Sequence, residues 1–324
     1  MSELGRTAPC WTPGGQLQTL VPTIVGRYLQ PLPVHWTRER LFTPDHDFID
    51  VDWSGRSEHP GAPRLILFHG LEGSSSSHYV RAFATVAAAL GWSFAIPHFR
   101  GCSGALNLAP RAYHAGDYQE VAWMLEQLTR DHAGPVYAVG VSLGGNALLQ
   151  WAAHRSRGDV AGPGVRALCA LSAPLDLAAC GDAIDHGLNQ RIYGRYFLKT
   201  MKEKARLKAA QYRGLFNLEA IEQASTLRTF DHFFTAPLHG FSGVDDYWSR
   251  ASSGSQLRHI GLPSLVVNAL NDPLVPAQSL TPPADCSSAV TVWRPRDGGH
   301  VGFGAGGQCA FASRVLAWLA RAGG

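Results

Sequence analysis

The chain has 324 residues, 45% of them apolar and 16% charged, which is enough for a large buried core. A net charge of +3, with no basic block interleaved with aromatics, argues against a nucleic-acid partner and leaves a small molecule as the expected one. Six cysteines (Cys10, Cys102, Cys169, Cys180, Cys286, Cys309) follow no Cys-x-x-Cys spacing, so neither a zinc knuckle nor a disulfide framework is expected, and a reducing, cytoplasmic setting fits best.

Residues 1–30 lack a basic start followed by a continuous apolar core, and no segment has the apolar length to cross a bilayer, so no integral membrane segment is expected. From about residue 36, strand-like runs alternate with helix-like ones, the strands falling at 38–42, 48–53, 65–68, 92–96, 136–141, 165–171, 265–269 and 290–293. The later runs are almost continuously apolar, as in strands covered on both faces, whereas 48–53 alternates like an exposed antiparallel edge. In the helical stretch 117–132, Tyr118, Val121, Ala122, Leu125 and Leu128 share one face; near the C-terminus Phe311, Val315, Leu316 and Leu319 do the same. The pattern predicts an α/β fold with a mostly parallel eight-stranded sheet and helices on both faces, residues 1–324 forming one domain.

The alternation breaks at 176–250, where a helical run carries Tyr193, Phe197 and Met201 on one side among Arg191, Arg195, Lys199, Lys202, Lys204, Arg206 and Lys208. This reads as an inserted helical cap whose apolar side roofs a pocket and whose basic residues form a solvated face.

Gly140-Val141-Ser142-Leu143-Gly144-Gly145 lies between an apolar strand and a helix, the strand–turn–helix context that lifts a serine clear of a sheet. Glycines flanking such a turn leave room where a side chain would collide. Ser142 is therefore the candidate nucleophile. A serine hydroxyl needs a base and a group to orient that base, and on such a sheet both gather at the carboxyl ends of later strands. Asp272 follows the seventh strand and His300 the eighth, in the order Ser, Asp, His. Asp272 could also cap the turn at Pro273. Asp297 competes with it, but three residues from His300 it is poorly placed to support the ring from the far side. A histidine base accepts a proton from about neutral pH upward, so activity is expected to fall in acid.

Attack on a carbonyl creates an oxyanion that needs preorganised N–H donors. Leu143 N–H, just after the nucleophile, is one candidate. The other is Leu71 N–H in His69-Gly70-Leu71-Glu72-Gly73, although His69 and Gly70 could simply end a strand. Arg100-Gly101-Cys102-Ser103-Gly104 reads as a structural turn braced by Arg100. His69, His78, His98 and His114 match no metal-ligand spacing, so neither a metal nor a cofactor is expected.

With these residues in place, the chain resembles the YheT-like group of α/β-hydrolases, bacterial relatives of eukaryotic abhydrolase-domain esterases, from about Gln16 to Ala320. The likeness rests on Gln18-Thr19-Leu20, His69-Gly70-Leu71-Glu72-Gly73-Ser74, His98 to Gly104, Gly140 to Asn146, Phe230-Asp231, His239-Gly240-Phe241, Asp272-Pro273 and Gly299 to Phe303. Gly15 and Gln16 depart from the group's pattern. The resemblance implies a serine hydrolase with Ser142, Asp272 and His300 as its triad, acting on short acyl esters. The expected function is thus a carboxylic ester hydrolase working through an acyl-enzyme on a small-molecule ester. The same machinery could serve a thioesterase, amidase or acyltransferase, and a non-catalytic ligand-binding protein on a hydrolase fold is the rival from another class. Nothing in the residues specifies an oligomeric state.

Overall fold

The computed structural model describes residues 12–25, 34–55, 61–160, 162, 164–304 and 307–324. Its strands are β1 Thr37–Phe42, β2 Phe48–Ser54, β3 Arg64–Phe68, β4 Ser93–Pro97, β5 Val136–Val141, β6 Val165–Leu171, β7 Ser264–Val267 and β8 Val290–Trp293. They form one sheet in the order β1-β2-β4-β3-β5-β6-β7-β8. β2 runs antiparallel to both neighbours, and the remaining pairs are parallel.

Side chains alternate across the sheet, and both faces are covered. Along β3, Leu65 and Leu67 enter one core while Ile66 and Phe68 enter the other, and all four are fully buried. Helices Tyr118–Thr129 and Leu143–Arg157 pack on the Ile66 side, helices His78–Ala89 and Gln308–Ala322 on the Leu65 side. Two-sided cover is why the central strands read as unbroken apolar runs.

β2 departs from its expected place. It is antiparallel, but it lies one strand in from the edge, with Phe48 through Trp53 all buried. The alternation is real: Ile49, Val51 and Trp53 enter the core while Asp50 and Asp52 point to the opposite face. There the register partners on β1 clamp them, Arg40 on Asp50 at 2.8 and 2.9 Å and Arg38 on Asp52 at 2.7 and 2.8 Å. Burial alone would raise both carboxyl pKa values, but the arginine bonds, together with Ser103 on Asp50 and with His98 and Ser75 on Asp52, outweigh it and leave them lowered.

Among the described residues the chain between β6 and β7 forms helices and no strand, the longest being Arg195–Gln211. These helices carry a small core of their own, including Leu198, Ala205, Ile221, Phe230 and Phe234. The basic run does not form one solvated face. Arg206 pairs with Glu222 at the surface, but Lys204 and Lys208, one turn apart, point inward. Lys208 is only 2% exposed, its ammonium donating to the Asn107 and Ala109 carbonyls at 2.8 and 2.9 Å, and burial pushes its pKa down to about 8. No described helix is long and apolar enough to cross a membrane. Cys102, Cys169, Cys180, Cys286 and Cys309 are free thiols, and Cys10 lies outside the described residues.

Candidate active site

Ser142 sits between the end of β5 and helix Leu143–Arg157 with φ 53° and ψ −123°, a conformation that L-residues rarely hold. Strain of this kind persists only where the surroundings over-determine it. Here the Ser142 N–H donates to the Leu171 carbonyl at 2.8 Å, and the helix closes immediately on Ser142 through the N–H groups of Gly145 and Asn146. A Cβ at Gly140 would lie 2.5 Å from the Gly144 carbonyl oxygen across the turn. At Gly144 the obstacle is different: a Cβ would lie 2.4 Å from the His69 carbonyl oxygen, just past the end of β3. The second glycine is needed for packing against the neighbouring strand rather than for the turn itself.

Two later loops meet this serine. His300 Nε2 lies 2.9 Å from Ser142 Oγ, and His300 Nδ1 lies 2.9 Å from Asp272 Oδ2. The Asp272 side chain is fully buried and that of His300 is 14% exposed. Asp272 also does the turn work expected of an Asp before Pro273, since its Oδ1 accepts from Leu274 N–H at 2.8 Å and Val275 N–H at 3.2 Å. One oxygen holds the loop and the other faces the imidazole. Asp297 instead accepts from Asn271 Nδ2 at 3.2 Å.

The loop carrying His300 is docked by the N-terminal helix Gly14–Val25. Gln18 Oε1 accepts from Gly298 N–H and from Asn271 Nδ2, both at 2.8 Å, and Thr19 Oγ1 accepts from His300 N–H at 2.8 Å. Contact is so close that a Cβ at Gly302 would lie 1.8 Å from the Gln18 carbonyl oxygen, and one at Gly15 1.8 Å from that of Asn271. Gln18 and Thr19 therefore belong to the site's support. Their motif stood out in the sequence, but only a fold that brings residues 18 and 300 together reveals the task.

Leu71 and Leu143 line the same cavity as Ser142 and His300. Neither backbone N–H donates to an acceptor among the described residues, so both are free to meet an oxygen. The Leu71 loop is held on both sides: Gly70 N–H donates to Tyr79 Oη at 2.9 Å, and Glu72 N–H to Tyr113 Oη at 3.1 Å. His69 is structural. Fully buried, it donates from Nδ1 to the Gly70 carbonyl at 2.8 Å and accepts from Phe99 N–H at Nε2 at 3.1 Å, tying the loop to the end of β4. Arg100 is likewise structural, ion-paired with Asp45, Asp47 and Glu120.

Burial, helped by the neighbouring His98, pushes the His69 pKa down to about 3. Unfolded, the same imidazole takes a proton below about pH 6.5. Stability is thus complete above that value and drains as pH falls toward the folded one, at ~1.4 kcal/mol per pH unit for one proton taken up on unfolding. His69→Gln is expected to be less stable near neutrality but to lose about that much less per unit between about pH 6 and 4 in urea unfolding. A slope equal to the wild type would assign the proton elsewhere.

Ser142 and His300 lie where two cavities meet. One, of about 150 Å³, is roofed by the helices between β6 and β7 through Phe197, Met201, Leu227, Phe230, Phe234 and Trp248. The other, of about 370 Å³, is walled in part by the hydroxyl-bearing Thr19, Thr23, Ser77, Tyr79, Tyr193 and Tyr196.

A family profile described as the alpha/beta hydrolase fold matches residues 63–306. YheT, a candidate esterase of Escherichia coli (strain K12), is 37% identical over 314 residues, covering 94% of this chain and 89% of its own. Phospholipase ABHD3 of Mus musculus is 26% identical over 321 residues, 96% of this chain and 76% of its own. The solved Pyrococcus furiosus esterase Pf2001 matches 90% of this chain and 94% of its own with a TM-score of 0.57, and at 13% identity the likeness concerns the fold alone. With an eight-stranded sheet of the expected kind and identity to YheT that extends along almost its whole length, the chain belongs to the YheT-like group of the α/β-hydrolase family, enzymes of esterase type.

Proposed function

We propose that the chain is a serine carboxylic ester hydrolase acting through an acyl-enzyme on small or short-chain acyl esters. The observation that carries this reading is the continuous hydrogen-bonded path from Ser142 through His300 to Asp272. Asp272 fixes the tautomer with the proton on Nδ1, leaving Nε2 to take the Ser142 proton as Oγ attacks the carbonyl carbon. The oxygen of the tetrahedral intermediate then bears the charge, and the Leu71 and Leu143 N–H groups stabilise it. His300 returns the proton to the leaving alcohol. A water, deprotonated by the same imidazole, releases the acid and restores the serine.

The two cavities divide the substrate. The one under the cap helices, roofed by Phe197, Met201, Leu227, Phe230, Phe234 and Trp248, takes the acyl chain, and the one walled by hydroxyl-bearing side chains takes the alcohol. A largely apolar space of about 150 Å³ admits a ligand of about six carbons, the size of benzene. In this reading residues 1–324 work as one unit, with 176–250 as a cap that supplies the acyl-pocket roof. The free, scattered thiols favour a cytoplasmic setting.

Hydrolysis rates over a nitrophenyl series from acetyl to lauroyl esters test the assignment. A maximum between butyryl and hexanoyl is expected, with free acid as the product even when a competing alcohol is present. Formation of a new ester would make the chain an acyltransferase, and a maximum at lauroyl would refute the size of the acyl pocket.

A further inference from the structure

Glu72 follows Leu71 in the oxyanion loop and holds φ 56°, a left-handed conformation without a glycine's freedom. Its side chain is 5% exposed, so its carboxylate must be compensated. Two groups do this, both donating to the same oxygen. Tyr113 Oη donates to Glu72 Oε1 at 2.8 Å while accepting the Glu72 N–H, and its ring stacks on Phe99 at 5.4 Å. Lys204 Nζ, from the cap helix, donates to the same Oε1 at 2.7 Å and to Cys102 Sγ at 3.3 Å. Tyr113 belongs to the body of the molecule and Lys204 to the helix above it.

That helix also touches the acyl cavity. Phe197 and Met201 line it, and with Lys204 they fall at positions i, i+4 and i+7 of helix Arg195–Gln211, on one face. Whatever seats the helix over the acyl group therefore also seats Lys204 on Glu72. We propose that Lys204 is a positioning residue that couples the seating of the cap to the oxyanion hole, holding Glu72 so that the adjacent Leu71 N–H is aimed at the reacting oxygen. The inference rests on the reading of Leu71 as an oxyanion donor. Losing the ammonium leaves a buried carboxylate with only a phenol beside it, in a strained backbone, and the loop relaxes. A displacement of about 1 Å at such a donor is enough to cost on the order of 10²-fold in rate.

The test uses Lys204→Met, Lys204→Arg and Glu72→Gln in the full chain, with kcat and KM for a butyryl ester and the inhibition constant of a butylboronic acid. The boronate forms a tetrahedral adduct with a serine and so reports on the oxyanion hole. Lys204→Met is expected to lower kcat by about 10- to 100-fold and to weaken the boronate by a similar factor, with KM within about threefold of wild type. Lys204→Arg, which keeps the charge, restores most of both. A purely structural role would lower the melting temperature without this split. If Lys204→Met unfolds at assay temperature, Glu72→Gln is read in its place with the same expectation. Unfolding of both makes the contact a fold requirement and overturns the proposal. Wild-type kcat and boronate affinity in Lys204→Met or its replacement overturn it too. The underlying nucleophile assignment fails separately, through an active Ser142→Ala.

Discussion

Ser142→Ala is expected to lower kcat for a butyryl ester by about 10⁶-fold, with a melting temperature close to wild type. The loss is chemical because the hydroxyl holds little else: Oγ meets His300 Nε2 at 2.9 Å, while the strained backbone is held by main-chain bonds, among them Ser142 N–H to the Leu171 carbonyl at 2.8 Å. Residual turnover of about 10³-fold over water is expected from the oxyanion donors and the binding cavities. Steady-state kinetics beside a thermal melt separate the two outcomes. Activity within tenfold of wild type would remove Ser142 from the chemistry.

Asp272→Asn is the second large effect, about 10⁴-fold in kcat. The two carboxylate oxygens have different tasks, and the substitution affects them differently. Oδ1, which accepts from the Leu274 and Val275 N–H groups, can remain a carbonyl oxygen, so the turn survives. Oδ2, facing His300 Nδ1 at 2.9 Å, becomes an amide nitrogen that donates where it must accept. The imidazole is then driven to the tautomer protonated on Nε2, which cannot take the serine proton. An unchanged melting temperature with a 10⁴-fold lower kcat is the expected pair of results. A loss of less than tenfold would mean that Asp272 serves its loop alone.

Much of the fold was legible because strand signals are local. Each of the eight expected strands lies within two residues of its observed bounds, since apolar runs and turn residues mark them directly. β2 lies inside the sheet and not at its edge, which its residues do not reveal, because period-two alternation records which residues share a face, not what covers that face. Asp50 and Asp52 look solvent-bound until Arg40 and Arg38 are laid against them from a separate strand. The basic run 191–208 failed for a related reason, because charge count along a helix does not say which lysines turn inward. Lys208 satisfies its ammonium on two carbonyls that lie 101 and 99 residues away along the chain, and no local pattern encodes that.

At the site, chain order and flanking glycines singled out Ser142, Asp272 and His300, and the structure brings the three together. Their support was not legible. Thr19 reaches the His300 N–H across 281 residues, and Lys204 reaches Glu72 across 132. Such contacts depend on where helices land after folding, so a hydroxyl or an ammonium in sequence carries no sign of its partner.

Catalysis of the proposed kind passes through a covalent intermediate on one serine, which reaction with a fluorophosphonate traps. Titration of the full chain should give one adduct per molecule, located by peptide mass spectrometry at Ser142, with ester hydrolysis falling in step with labelling. Full labelling with hydrolysis intact, or an adduct that inactivates from another residue, would contradict it.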